Sequence, residues 1–115
     1  MLFRSEIRAA RGVLRANEVF ANQIGINANY TNAIEDRIEV LDNVVRDNVN
    51  TGISAGGFVL ISGNTVFNHN GPNDRGISAD RSEIAFNEVF ANYDGIAVTS
   101  AVVEDNRVQI GRAHV

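Results

Sequence analysis

The chain has no cysteine, no tryptophan, one proline and one methionine in 115 residues, and its ten basic residues are all arginine. Without cysteine there is no disulfide framework, no thiolate zinc site and no cysteine nucleophile. With a single methionine as well, a copper–thiolate centre has no ligands here. No apolar run approaches the roughly 20 residues that a helical membrane span needs. The net charge of −4 and pI near 5.0 argue against a surface that grips phosphates, so nucleic acid is not an expected partner. The chain length allows one domain at most. Hydrophobic residues at 44% and charged residues at 21% fit a folded chain and not a disordered one.

Asparagine and β-branched residues are abundant, with fifteen Asn, fourteen Val and eleven Ile. Val and Ile suit strands, whereas Asn suits tight turns and the left-handed conformation. Neither group favours long helices. The expected picture is many short strands separated by Asn corners.

A repeat organises these residues. Anchored on Asn17, Asn43, Asn64, Asn87 and Asn106, it recurs at intervals of 26, 21, 23 and 19 residues. Two residues after each anchor stands Val19, Val45, Val66, Val89 or Val108. Three residues before stands Leu14, Val40, Ile61, Ile84 or Val103. Five residues after stands Asn22, Asn48, His69 or Asn92. A Gly-Ile pair follows in each complete unit, at Gly25, Gly52, Gly76 and Gly95, with Ala28, Ala55, Ala79 or Val98 two residues past the Ile. Three short alternating apolar stretches per unit predict three short strands per unit. No segment holds a helical period over 10 or more residues. Such strands are too short to stand as isolated hairpins but can stack on their equivalents in the next unit, about 4.8 Å away.

The reading is an all-β, right-handed parallel β-helix of about four full coils over residues 13–109, with a partial leading coil over 1–12. Other repeat folds fail on their own requirements. Four leucines cannot supply a leucine-rich-repeat core, no calcium-binding nonapeptide occurs, and a propeller blade needs roughly 40 residues.

The units ISGNTVFNHN, EIAFNEVFAN and RIEVLDNVVRDN, each followed by a Gly-Ile pair, resemble the right-handed parallel β-helix repeat family. The likeness is to its pectate-lyase-like members, to its periplasmic copper-binding and carbohydrate-binding group, and to large bacterial surface proteins built of such coils. The resemblance implies a fragment of a secreted, periplasmic or surface-displayed protein acting as a rigid structural or binding scaffold, with polysaccharide as the partner. Further coils of the same parent chain would be a second partner. Behind that reading stand two alternatives: part of a polyuronate lyase or C5-epimerase and, more remotely, a periplasmic metal-site accessory protein. The active-site patterns of such enzymes, D-P-H-E and G-H-G, do not occur. A shared coil transfers no activity. The N-terminal MLFRSEIRAARG carries no apolar signal-peptide core and reads as beginning partway through a coil. The tail Ile110–Val115 resembles the translation of a common sequencing adapter, which removes His114 from consideration.

Function in a solenoid collects on insertions and surface rows. The anchor-to-Gly distance is 12 residues in the third unit against 8 or 9 elsewhere, which places an insertion at Asn68–Arg75. The distance from Gly25 to the next anchor, 18 against 11 or 12, places another at Asn29–Asp36. His69, Asp74 and Arg75 are the catalytic candidates, a base beside a guanidinium for a uronate carboxylate. Asn and Asp are also ordinary turn residues, and His69 shares the register of Asn22, Asn48 and Asn92, so the structural reading, a rung in a side-chain ladder, outweighs the catalytic one. No cofactor is expected beyond calcium. For calcium, Asp42, Asp47, Asp80, Asp94 and Asp105 and the pair Glu35 and Asp36 supply oxygens, though no D-x-D-x-D-G loop exists. Acidic corners also keep a stacked surface soluble. Phe20, Phe67 and Phe90 share a register one residue past the inward Val, broken by Arg46, and strict alternation turns them outward. With Tyr30 they are the sugar-binding candidates, unless the chain bends and tucks the rings against the corner. Asn17, Asn43, Asn64, Asn87 and Asn106 are the expected structural ladder.

Overall fold

The computed structural model describes residues 2–3, 7–9, 12–31, 37–69 and 71–109. Half of the leading coil, residues 32–36 with Glu35 and Asp36, Asn70, and the tail 110–115 with His114 lie outside them. Among the described residues there are sixteen short strands, numbered β1 to β16 in chain order, and no helix.

The strands form three parallel sheets, and the chain visits each once per turn, making a β-solenoid of about 4 turns. The first sheet stacks β1 (Leu2–Phe3), β4 (Glu18–Phe20), β7 (Val44–Arg46), β10 (Thr65–Phe67), β13 (Glu88–Phe90) and β16 (Arg107–Gln109). The second stacks β2 (Ile7–Ala9), β5 (Ile24–Thr31), β8 (Thr51–Gly57), β11 (Arg75–Asp80) and β14 (Asp94–Thr99). The third stacks β3 (Gly12–Arg15), β6 (Ile38–Leu41), β9 (Val59–Ser62), β12 (Glu83–Ala85) and β15 (Val102–Glu104).

Register follows the repeat. Val19, Val45, Val66, Val89 and Val108 are direct partners up the first sheet. Ile26, Ile53, Ile77 and Ile96, with Ala28, Ala55, Ala79 and Val98, are partners up the second. Leu14, Val40, Ile61, Ile84 and Val103 are partners up the third. These columns form one apolar core, and only Leu14, Val98, Val103 and Val108 are partly open. Each buried Val or Ile contributes about 1.5–3 kcal/mol. The outer face of every sheet meets water. The strands therefore alternate, unlike those of parallel sheets covered on both faces.

Both insertions fall at corners. The connection from β10 to β11 runs over 68–74, where the equivalent ones occupy 21–23, 47–50 and 91–93. That from β5 to β6 runs over 32–37, and β5 shifts register against β8 between Ala28 and Thr31 as it approaches.

The left-handed residues are not where Asn abundance suggests. Of eleven non-glycine residues with positive φ among the described residues, two, Asn68 and Asn73, are Asn. The bend falls one residue before each rung: Ala16, Asp42, Gly63, Phe86 and Asp105 precede the first ladder, and Ala21, Asp47, Asn68 and Ala91 the second. A rung has to direct its side chain inward and its backbone N–H along the axis, so its predecessor makes the turn. For a residue with a Cβ this conformation costs about 1–2 kcal/mol. Ala21→Gly, at an exposed corner with φ 61°, is therefore expected to stabilise the fold by about 0.5–1 kcal/mol in urea unfolding. Ala55→Gly, in an inward extended position, is expected to destabilise it.

Candidate functional site

The first corner holds an amide ladder. The backbone N–H and Nδ2 of Asn17 both donate to Asn43 Oδ1, at 2.9 and 3.1 Å. Asn43 repeats this toward Asn64 at 2.9 and 3.0 Å, Asn64 toward Asn87 at 2.9 Å for both, and Asn87 toward Asn106 at 3.0 and 2.9 Å. Nδ2 also donates backwards to the carbonyl three residues before the preceding rung: Asn43 to Leu14, Asn64 to Val40, Asn87 to Ile61 and Asn106 to Ile84. Asn43, Asn64 and Asn87 are buried. A side-chain amide carries both donor and acceptor, which lets it satisfy the strand-end groups at a bend that the apolar core would otherwise strand.

The second corner holds a ladder of different composition. Asn22 N–H donates to Asn48 Oδ1 at 3.1 Å. Asn48 Nδ2 lies 3.0 Å from His69 Nε2, and His69 Nδ1 lies 2.7 Å from Asn92 Oδ1. An amide NH₂ only donates and an amide oxygen only accepts, so His69 is neutral with its proton on Nδ1. Its backbone N–H also donates to Asn92 Oδ1, at 3.0 Å. The imidazole is fully buried, and burial holds its proton affinity below the ordinary histidine value. The Gly of each Gly-Ile pair makes room for the rung above. A Cβ on Gly52 would lie 2.8 Å from His69 Cε1 and 2.7 Å from Gly76 O. One on Gly25 or Gly76 would meet Asn48 or Asn92 Nδ2 at 2.8 Å.

Of the other two catalytic candidates, Asp74 Oδ2 accepts from Gly71 N–H at 3.2 Å, closing the insertion on itself. Arg75 is exposed at the start of β11 and reaches Ser78 Oγ at 3.3 Å. Both nitrogens of His69 are engaged inside the coil, so the ring offers no lone pair to a substrate at this corner. Among the described residues no group of three or more His, Asp or Glu is gathered for a metal ion. Asp42 and Asp47 occupy left-handed corners at the two ends of β7, and Asp105 one in the last coil.

The aromatic candidates are half-buried and form a column. Phe67 and Phe90 lie parallel, with centroids 4.9 Å apart and planes 3° apart, matching the strand spacing. Arg46 fills the place between Phe20 and Phe67, with its guanidinium carbon 4.3 Å from the Phe20 centroid. It donates to Asp47 Oδ2 at 2.8 Å and Glu18 Oε2 at 2.9 Å. Those bonds, Asp47 first, hold it more firmly protonated than usual. Rings stacked on one another turn their faces inward to the stack and their edges to water. Tyr30 belongs to β5, but its side chain lies outside the described residues.

One feature carries no motif. Arg37, Phe58, Arg81 and Ser100 occupy equivalent places in successive coils, each two residues before Glu39, Leu60, Glu83 or Val102 in the third sheet. They line an open cleft of about 320 Å³ with Glu83 and Val102. Arg37 faces Glu39 at 3.9 Å and Glu83 at 3.8 Å, and Arg81 faces Asp80 at 3.5 Å, so acidic groups offset both cations. The column becomes visible only once the third-sheet register is known, because the long connection before Arg37 hides its alignment.

Comparison with known proteins finds no matching family model, no matching curated protein and no matching solved structure.

Asn64→Ala removes the acceptor of Asn43 and the donor to Val40 and Asn87, and is expected to destabilise by about 1–3 kcal/mol for each group left unpaired. The half-buried terminal rung Asn17→Ala should cost less, and chemical denaturation of both variants measures the difference. Gly52→Ala drives a methyl into His69 and the Gly76 carbonyl, and a loss of about 1–3 kcal/mol is expected in the same assay.

Proposed function

We propose that the chain is a rigid structural scaffold, a rod segment whose repeated side chains serve coil-to-coil contact and whose surface presents its corners. The observation that carries this reading is the consumption of polar groups inside the stack. Both ladder columns, His69 among them, pair with neighbouring coils and leave no convergent set of free groups. An enzyme of the polyuronate lyase or epimerase type would need His69, Asp74 and Arg75 to act together. The engagement of both His69 nitrogens supports the scaffold instead. The extracellular, surface or periplasmic setting implied by the repeat resemblance belongs to the same proposal.

A second reading, polysaccharide binding, is favoured by the half-exposed column of Phe20, Arg46, Phe67 and Phe90. Sugar rings stack on aromatic faces, and here the faces are turned to one another. A ligand would have to use ring edges and Arg46. Electrophoresis through gels containing neutral or uronate polysaccharides separates the two readings. The scaffold reading expects unchanged migration in both gels. Retardation abolished by Phe67→Ala with Phe90→Ala would replace it with the polysaccharide reading.

A further inference from the structure

The second ladder has a direction. Asn22 donates to Asn48, Asn48 to His69 and His69 to Asn92, each rung accepting from the coil before and donating to the coil after. A neutral imidazole keeps that direction because Nε2 accepts while Nδ1–H donates. A protonated imidazole donates from both nitrogens, and Nε2–H would then face the NH₂ of Asn48. Turning the Asn48 amide around would cure that contact. It would also point NH₂ at the backbone N–H of Asn22, which now reaches Asn48 Oδ1 at 3.1 Å. The fault therefore passes to the next rung and is not removed.

We propose that His69 makes the second corner an acid-sensitive latch: a proton on Nε2 unpairs the Asn22–Asn48–His69 segment and loosens that corner between coils, while the all-asparagine ladder at the first corner stays closed.

The ring is closed in on every side. Asn48 and Asn92 lie below and above it along the ladder, and Gly52 packs against its Cε1. Two charged groups act on it, Asp47 from the corner 47–50 and Asp74 from the insertion, and both attract a proton. Burial opposes them and prevails, so the closed ladder binds a proton less readily than an opened one. The sign follows. Closure is unaffected by pH above the ordinary histidine value of about 6.5. Below it the opened form takes up the proton first, and opening becomes about ten-fold more favourable for each further pH unit, until the closed form also protonates. Among the rungs at this corner only His69 titrates, so the response belongs to one coil.

Hydrogen exchange of single amides, followed by NMR from pH 7.5 to 5 and corrected for the intrinsic pH dependence of exchange, tests this. The amides of Asn22 and Val49, which bond across the second corner, should lose protection about ten-fold per pH unit below about 6.5. Those of Asn43 and Asn64 should not. His69→Asn, which restores the rung of the other coils, should leave Asn22 flat with pH. An equal slope in His69→Asn would overturn the latch. So would a flat wild-type profile, or equal loss at Asn43 and Asn64, which would mean the whole stack melts. Imidazole nitrogen shifts of the wild type at pH 7.5 decide independently of the variant: a proton on Nδ1 is expected, and one on Nε2 would overturn the proposal.

Discussion

Unshifted parallel register between coils is the constraint on which the rest of this molecule depends. Each turn is held by hydrogen bonds to the turns beside it, and no turn could bury its few aliphatic residues alone. Because Val45 lies between Val19 and Val66, and Ile53 between Ile26 and Ile77, the core is a set of columns. A slip of one residue in any strand would turn its column to water. The two insertions respect this rule. They lengthen corners and leave the aligned strands intact, with one local register shift where β5 approaches the longer of them.

The ladders solve the problem that register creates at the bends. Where the chain leaves one sheet for the next, its backbone groups lose their strand partners beside an apolar interior. Asparagine supplies both an acceptor and donors from one short side chain, and glycine in the coil below supplies the room. His69 fills the same role with a ring, since Nδ1 occupies the place of an amide nitrogen while Nε2 reaches farther and accepts. The left-handed residues are part of this arrangement, because a rung can face inward only if the residue before it makes the turn.

Much of this was legible in the sequence because a column writes itself as a repeat. The Val two residues past each Asn, the aliphatic residue three before it and the Gly-Ile pair each mark one column, and together they define three sheets and two corners. The identity of most left-handed positions was not legible: Ala, Asp, Ser, Arg and Phe occupy nine of the eleven non-glycine ones among the described residues, and corner geometry overrides their preferences. The contact of Arg46 with Phe20 depends on side-chain reach across coils, which spacing does not encode. The cleft of Arg37, Phe58 and Arg81 was hidden because the long connection before Arg37 interrupts the spacing that would align it. For His69 the sequence gives the register. The tautomer follows only from knowing which atoms of Asn48 and Asn92 face the ring.

A parallel sheet carries little net dipole, because its peptide groups point alternately up and down the stack. The ladders add an asymmetry of their own. The backbone N–H groups of Asn17, Asn22, Asn43, Asn64, His69 and Asn87 reach the side-chain oxygen of the rung above, while the carbonyls of Asn17, Asn43, Asn64 and Asn87 accept from that same coil. The solenoid therefore turns rung N–H and carbonyl groups toward its C-terminal coils and rung Oδ1 atoms toward its N-terminal ones. Its two ends are chemically unlike even though the turns between them are nearly the same.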